Sequence, residues 1–290
     1  MAFSRCNPFV PAVYFLSVLL IAMFLPNPLF SLIALAGAAA FCAVFGAQTM
    51  GNRWFLPLLF LLITLTNPFF SHNGATVLFY MNGNAVTAEA LFYGAGIALT
   101  IVSVILWCRA LSLVMTGDKL VYLAGKTTPQ LSIVLAAALR YIPLLRRKSR
   151  EIGRAQKAMG IYTSDSYPDR VKAVLRIFSA LVTWSLENAI ETGKAMKARG
   201  GGTKNRTYYS TYRFSGRDAA LLAVVLLLTA IILIAAFSQQ LEFRYYPTVT
   251  FPAITAGFAA AAAAFAGLSF LPVVLALMER MKWNYYKSKI

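Results

Sequence analysis

Residues 219–237 read AALLAVVLLLTAIILIAAF, a run without a charged side chain. An α-helix rises 1.5 Å per residue, so about 20 such residues cross a hydrocarbon layer about 30 Å thick. The stretch therefore predicts a transmembrane helix. Read outward in the same way, the chain offers five more spans at 10–25, 28–45, 55–70, 88–106 and 249–277, the last holding the alanine run 259–264. Pro26-Asn27-Pro28 separates the first two; proline there ends one helix and opens the next, which predicts a helical hairpin. The expected fold class is all-α, a polytopic helical membrane protein of about six spans.

Composition agrees and excludes the alternatives. Of 290 residues, 59% are hydrophobic and 13% charged, and the mean hydropathy is +0.66, whereas a soluble domain carries about 25% charged residues. An ordinary soluble enzyme is excluded. So is a disordered basic tail, which needs low hydrophobicity. The formal net charge of +17 is regional: residues 140–217 hold 17 of the 27 Lys and Arg and 5 of the 10 Asp and Glu, a local net of +12.

That distribution sets the expected topology. The apolar run 131–143 has only about 13 residues and ends in Arg140 and then Arg146-Arg147-Lys148, too short to span. With 109–217 on one side of the membrane, the positive-inside rule places Arg5, Arg53, the basic insert and Arg280, Lys282, Lys287 and Lys289 together in the cytoplasm. The loops 71–87 and 238–248 fall outside. The expected organisation is N-terminal membrane helices over 1–108, a cytoplasmic and interfacial module over 109–217, and C-terminal membrane helices over 218–290. Both termini are cytoplasmic in a prokaryotic cell (inner) membrane, and no signal cleavage is expected after the first run.

The insert itself predicts two long amphipathic helices. From 130 to 160, apolar residues recur at Leu131, Leu135, Ala138, Ile142, Leu145, Ile152 and Met159, with basic residues on other faces; Pro143 is expected to kink this helix. A second begins at Pro168-Asp169 and carries the stripe Val171, Leu175, Phe178, Val182, Ser185, Ala189, Thr192, Met196 and Arg199. Gly160 and Gly200-Gly201-Gly202 stop them, since glycine accepts the left-handed conformation that follows a helix end.

Catalytic chemistry is hard to find. Cys6, Cys42 and Cys108 are far apart and make no metal-ligand spacing. His72 is the only histidine, which excludes a histidine metal cluster or a Ser-His-Asp triad. Gly125-Lys126-Thr127 looks like the end of a phosphate loop, but Leu120 stands where that loop needs its first glycine and no strand precedes it. Glu89 and Asp118 are isolated near span ends and give no proton relay. Glu187, Glu191 and Lys194 read as an ordinary helix-face pairing, and Tyr208-Tyr209 with Tyr212-Arg213 as an interfacial belt. No cofactor is expected to bind directly.

The two long helices end alike, in Ala155-Gln156-Lys157-Ala158-Met159-Gly160 and Ala195-Met196-Lys197-Ala198-Arg199-Gly200. Here the sequence resembles the transmembrane T component of energy-coupling factor (ECF) transporters, whose signature is two Ala-Arg-Gly triplets about 40 residues apart at the ends of two cytoplasmic coupling helices. Ala198-Arg199-Gly200 is intact; the first site reads Ala158-Met159-Gly160. The run Ala137 to Leu144, with Arg140 and Pro143, is similar to the family's Ala-Leu-Arg-aromatic-hydrophobic-Pro stretch. Arg109-Ala110-Leu111-Ser112, leading through Leu120 to Gly125 and Pro129, looks like its short helix along the membrane.

The resemblance implies a non-catalytic subunit. Each tip would dock on one of two ABC-type ATPase subunits, which consume the ATP, and the chain would pass their motion to a separate membrane-embedded S component that binds a vitamin or metal ion. Arg199 would pair with acidic groups; Met159 would fill an apolar pocket, assisted by Arg154 or Lys157. The small residues 36–40 and 259–264 suit close helix contacts in the bilayer. The competing readings are a stand-alone secondary carrier or channel, which needs intramembrane ionisable groups or broken helices, and a basic nucleic-acid or lipid binder. For the basic insert, the heptad stripes with glycine-ended tips favour protein docking over nucleic acid or anionic lipid.

Overall fold

The computed structural model describes residues 6–45, 54–71, 74–81, 84–160, 167–201, 212–241, 243–247, 249–250 and 255–287. Arg5, Arg53, His72, Asn73, Asn82, Gly83, Gly202, Tyr208, Tyr209 and Lys289 lie outside them. The described elements are α1 (Phe9–Phe24), α2 (Pro28–Phe45), α3 (Phe55–Phe70), β1 (Val77–Met81), β2 (Asn84–Thr87), α4 (Ala88–Val114), α5 (Gly117–Thr127), α6 (Pro129–Ala158), α7 (Tyr167–Ala198), α8 (Gly216–Phe237) and α9 (Ala256–Lys287). Among the described residues the fold is all-α apart from one two-stranded antiparallel hairpin. Five of the described helices, α2, α4, α7, α8 and α9, are long and apolar enough to cross a membrane, and α1 and α3 are shorter apolar helices.

The chain divides into two compact units, residues 1–116 with 212–290, and residues 117–211. In the first unit, helices from both ends of the sequence share one core. Phe30 packs on Phe265 as a tilted ring pair at 5.5 Å, a Cβ on Gly37 would meet Ser269, and Arg280 Nη2 donates to the Val44 carbonyl at 2.9 Å. These contacts advance together, so α2 and α9 run parallel. The buried small residues Ala34, Gly37, Ala38, Ala261 and Ala264 permit the approach, as expected where packing rather than water exclusion drives helix association.

An aromatic cluster fills the other side of α2. Tyr14, Phe15, Phe41 and Trp107 are fully buried, with ring centroids 5.2 to 6.3 Å apart and mostly edge-to-face, the arrangement favoured by ring quadrupoles. Trp107 Nε1 donates to the Ala34 carbonyl at 3.0 Å. Trp107→Phe is expected to cost about 1–2 kcal/mol, since it deletes a buried hydrogen bond and part of a ring. The check is a lowered thermal midpoint of the detergent-purified chain.

Two sequence expectations are corrected here. Arg109–Ser112 forms the last turns of α4 and not a separate short helix, because Trp107, Ala110 and Val114 bury one continuous face and the ladder persists to Met115 N–H on the Leu111 carbonyl; the short helix starts at Gly117. The last span starts later than Val249: Thr250 pairs with Arg244 in an antiparallel bridge, and the Thr255 hydroxyl accepts from Phe258 N–H as a helix cap. The loop after α3 also contains structure that its composition hid. Thr76 N–H donates to both carboxylate oxygens of buried Glu89, clipping the hairpin to the first turn of α4, where Thr87 caps Ala90 N–H.

Directions within this unit separate the charges. The start of α1 meets the start of α8 through Asn7 N–H on Asp218, while Asn27 and Tyr245 link the α1–α2 turn to the chain after α8. Arg109, Arg217, Arg280, Lys282 and Lys287 thus gather at the end that holds the C-termini of α2, α4 and α9. The opposite end carries Arg244 and Glu89 among the described residues.

Candidate functional site

The second unit is built around α6 and α7. Three contacts fix how they run: Tyr141 Oη to Thr192 Oγ1 at 3.1 Å, Lys148 Nζ over the Trp184 ring at 5.7 Å, and Gly153, where a Cβ would lie 3.6 Å from Ile177 Cδ1. Positions rise along α6 as they fall along α7, so the pair is antiparallel. Before it, α5 packs on α6 through Ser132 Oγ donating to the Val121 carbonyl at 3.0 Å, and Gly117 is tight enough that a Cβ would press Leu139 at 3.0 Å.

The packed line on α7 differs from the apolar stripe. Ala173 is buried and Ile177, Leu181, Trp184, Asn188 and Thr192 are half-buried, whereas Val171, Leu175, Phe178 and Val182 are exposed. The helix-helix contact uses polar and aromatic groups: a hydroxyl pair, a cation over a ring, a glycine. Hydropathy periodicity missed it for that reason. A count of positions spaced three and four apart that includes Trp184, Asn188 and Thr192 would have found it.

Both helices end in the same backbone device. Met159 N–H bonds the Ala155 carbonyl and Gly160 N–H the Lys157 carbonyl; Arg199 N–H bonds Ala195 and Gly200 N–H bonds Lys197, with Gly201 N–H reaching back to Met196 at 2.8 Å. Gly160 sits at φ 72° and Gly200 at φ 80°, the left-handed region where a side chain is strained. Reaching five residues back makes the α7 end a Schellman stop. The glycine at each tip therefore turns the chain away and leaves the preceding side chain projecting.

The projecting side chains are Met159, 68% exposed, and Arg199, also exposed. Ala158 and Ala198 before them keep the tips slim. Lys157 and Lys197 occupy the last turns, where cations offset the negative helix end. The structure brings exposed Arg154 and Lys157 within two turns of Met159. It places exposed Arg140 and Pro143 elsewhere, next to Tyr141 and so beside the C-terminal part of α7. From the Lys148–Trp184 contact the two tips lie in opposite directions, together about 26 residues of rise or about 39 Å.

The ion pairs recorded along these helices are local and exposed. The ion pairs Lys148–Glu151 and Asp169–Lys172 are exposed and join residues three apart, so each contributes little. Among the described residues there is no group of three His, Cys, Asp or Glu able to hold a metal ion. Residues 117–127, which contain Gly125-Lys126-Thr127, are helical and not a phosphate loop.

A unit of packed apolar helices and a basic helical pair with two glycine-turned tips define a helical membrane protein. The comparison with known families agrees: the CbiQ (cobalt transport protein) model matches residues 3–209, and the chain belongs to that family. It is similar to the energy-coupling factor transporter transmembrane protein EcfT of Listeria innocua, 30% identical over 187 residues, 59% of this chain and 69% of that one. It is also similar to EcfT of Bacillus selenitireducens, 37% identical over 112 residues, 38% and 42% of the two chains, and of Bacillus subtilis, 31% over 105 residues, 36% and 40%. The Bacillus matches thus span about two fifths of those relatives.

Proposed function

We propose that this chain is the energy-coupling transmembrane subunit of an ECF-type importer for a vitamin or metal ion. The observation that carries the reading is the pair of matched tips at opposite ends of α6 and α7. Two matched tips, pointing in opposite directions and about 39 Å apart, suit two docking partners, so two ATPase subunits, identical or not, each take one. Arg199 enters an acidic groove as a planar multi-donor fork; Met159 enters an apolar one, where its flexible thioether adapts. The basic end of the membrane unit faces the cytoplasm under the positive-inside rule, which sets both termini on that side. ATP is consumed by the partners, and a separate membrane-embedded S component carries the substrate.

Purification from native membranes tests this directly. Two ATPase copies and one small hydrophobic membrane protein are expected to accompany the chain, and the small protein identifies the cargo. A chain that purifies alone and, once reconstituted, supports ATP-independent substrate flux would instead be a carrier.

A further inference from the structure

At the basic end of the membrane unit, the C-terminal end of α2, the first turn of α8 and the last four turns of α9 enclose an open cavity of about 950 Å³. Its inner wall is apolar, with Val44, Phe45 and Leu275; its outer rim carries Arg217, Arg280 and Lys282, with Glu279 as the one carboxylate, and the rings of Trp283 and Tyr286. Both rings are largely exposed, at 66% and 62%. The coupling reading uses their charges only to orient the chain in the membrane.

One of these charges is placed against local preference. Arg217 stands in the first turn of α8, where the helix field disfavours a cation. The Asp218 N–H of that turn is already engaged, because Ser215 and Asp218 form a reciprocal capping box. A cation held there, beside Arg280 and Lys282, is relieved by an anion brought into the cavity. Arg280 is partly committed, donating to the Val44 carbonyl at the end of α2; that bond fixes its guanidinium at the mouth.

Apolar wall, cationic rim and interfacial aromatics occur in the order that acyl chain, phosphate and headgroup boundary occur in a lipid. From this we infer a binding site for an anionic phospholipid, with the phosphodiester between Arg217, Arg280 and Lys282 and the first acyl carbons against Val44, Phe45 and Leu275. The shared chemistry is phosphate recognition; the apolar wall assigns the source to lipid and not to a soluble phosphate.

The test uses the full chain in phosphatidylcholine bilayers doped with phosphatidylglycerol brominated near the headgroup, and reads tryptophan quenching. The part lost in Trp283→Phe reports this cavity. Wild-type protein is expected to be quenched at low phosphatidylglycerol content. The double variant Arg217→Gln/Lys282→Gln should need about thirtyfold more, given the attraction of two interfacial cations. That variant spares the Arg280 bond to α2, and an unchanged thermal midpoint confirms that it folds. Equal quenching by brominated phosphatidylcholine, or an unshifted phosphatidylglycerol dependence in the double variant, would overturn the site. Reversal by millimolar inorganic phosphate would overturn the lipid assignment.

Discussion

Arg199→Glu is expected to abolish ATP-driven uptake and to release the ATPase that docks on the α7 tip. Arg199 is exposed, carried past the helix end by the left-handed turn at Gly200, φ 80°, with no role in the packing of α6 on α7. Its loss therefore leaves the fold intact and falls on the interface. Removing one partner of a desolvated interfacial ion pair costs about 2–5 kcal/mol, which is about thirtyfold to several thousandfold in affinity. Reversal adds repulsion from the acidic groove. Arg199→Lys keeps the charge and loses the fork, so it should fall between. Met159→Glu at the opposite tip should weaken docking without reversing a charge pair. The measurement is co-purification of the ATPases with uptake in the same vesicles, with helix content as control; an Arg199→Glu complex that stays whole and transports would end the proposal for this tip.

Gly37→Ile is expected to be the most damaging change in the membrane unit. A Cβ at Gly37 would stand 2.7 Å from Ser269 Cβ and 3.2 Å from the Ser269 carbonyl oxygen, the latter being backbone of the neighbouring helix. Backbone does not rotate away, so α2 and α9 must separate, and the loss spreads to Phe30, Phe265 and the Arg280 bond to Val44. Overpacking costs about 1–3 kcal/mol for small insertions; Gly37→Ala belongs in that range and isoleucine beyond it. Gly267→Ala is the internal comparison. Its nearest neighbour, Leu228 Cδ1, would be 3.9 Å away, and alanine gains up to about 1 kcal/mol of helix propensity over glycine. Detergent melts should rank Gly37→Ile far below Gly37→Ala, with Gly267→Ala at or above the parent. Equal midpoints for Gly37→Ile and Gly267→Ala would mean that the close crossing at Ser269 does not hold the unit together.

Much of this was legible in the sequence because its causes are local. Pro129, Pro168 and the glycines 160 and 200 set the ends of α6 and α7 to within a residue or two. Apolar length revealed α2, α4, α8 and α9 as spans and the shorter apolar α1 and α3, but α7, which its basic charge assigned to the insert, also meets that length and hydropathy; the twin Ala-x-Gly endings located both tips. What stayed hidden depends on contacts distant in sequence. The hairpin after α3 forms because Glu89 and Thr87 receive its strands, a reward that strand composition does not display. The α6–α7 contact escaped because it is made by Tyr141, Lys148, Gly153, Trp184 and Thr192 and not by the most apolar positions. The shared core of α2 and α9 joins residues more than 200 positions apart, where spacing carries no signal.

The cation of Lys148 over Trp184 divides the helical pair into two arms, about 17 Å to Met159 and about 23 Å to Arg199. A beam held near its middle converts strokes at its ends into different motions according to their sense. If both ends are pushed the same way it translates; if they are pushed oppositely it turns about the fulcrum. Because the arms are unequal, equal and opposite strokes turn the beam about its midpoint, about 3 Å from the contact, and so also displace the contact. Opposed strokes would thus deliver both a tilt and a small shift at the contact, and the ratio between them would be written in the position of a single lysine.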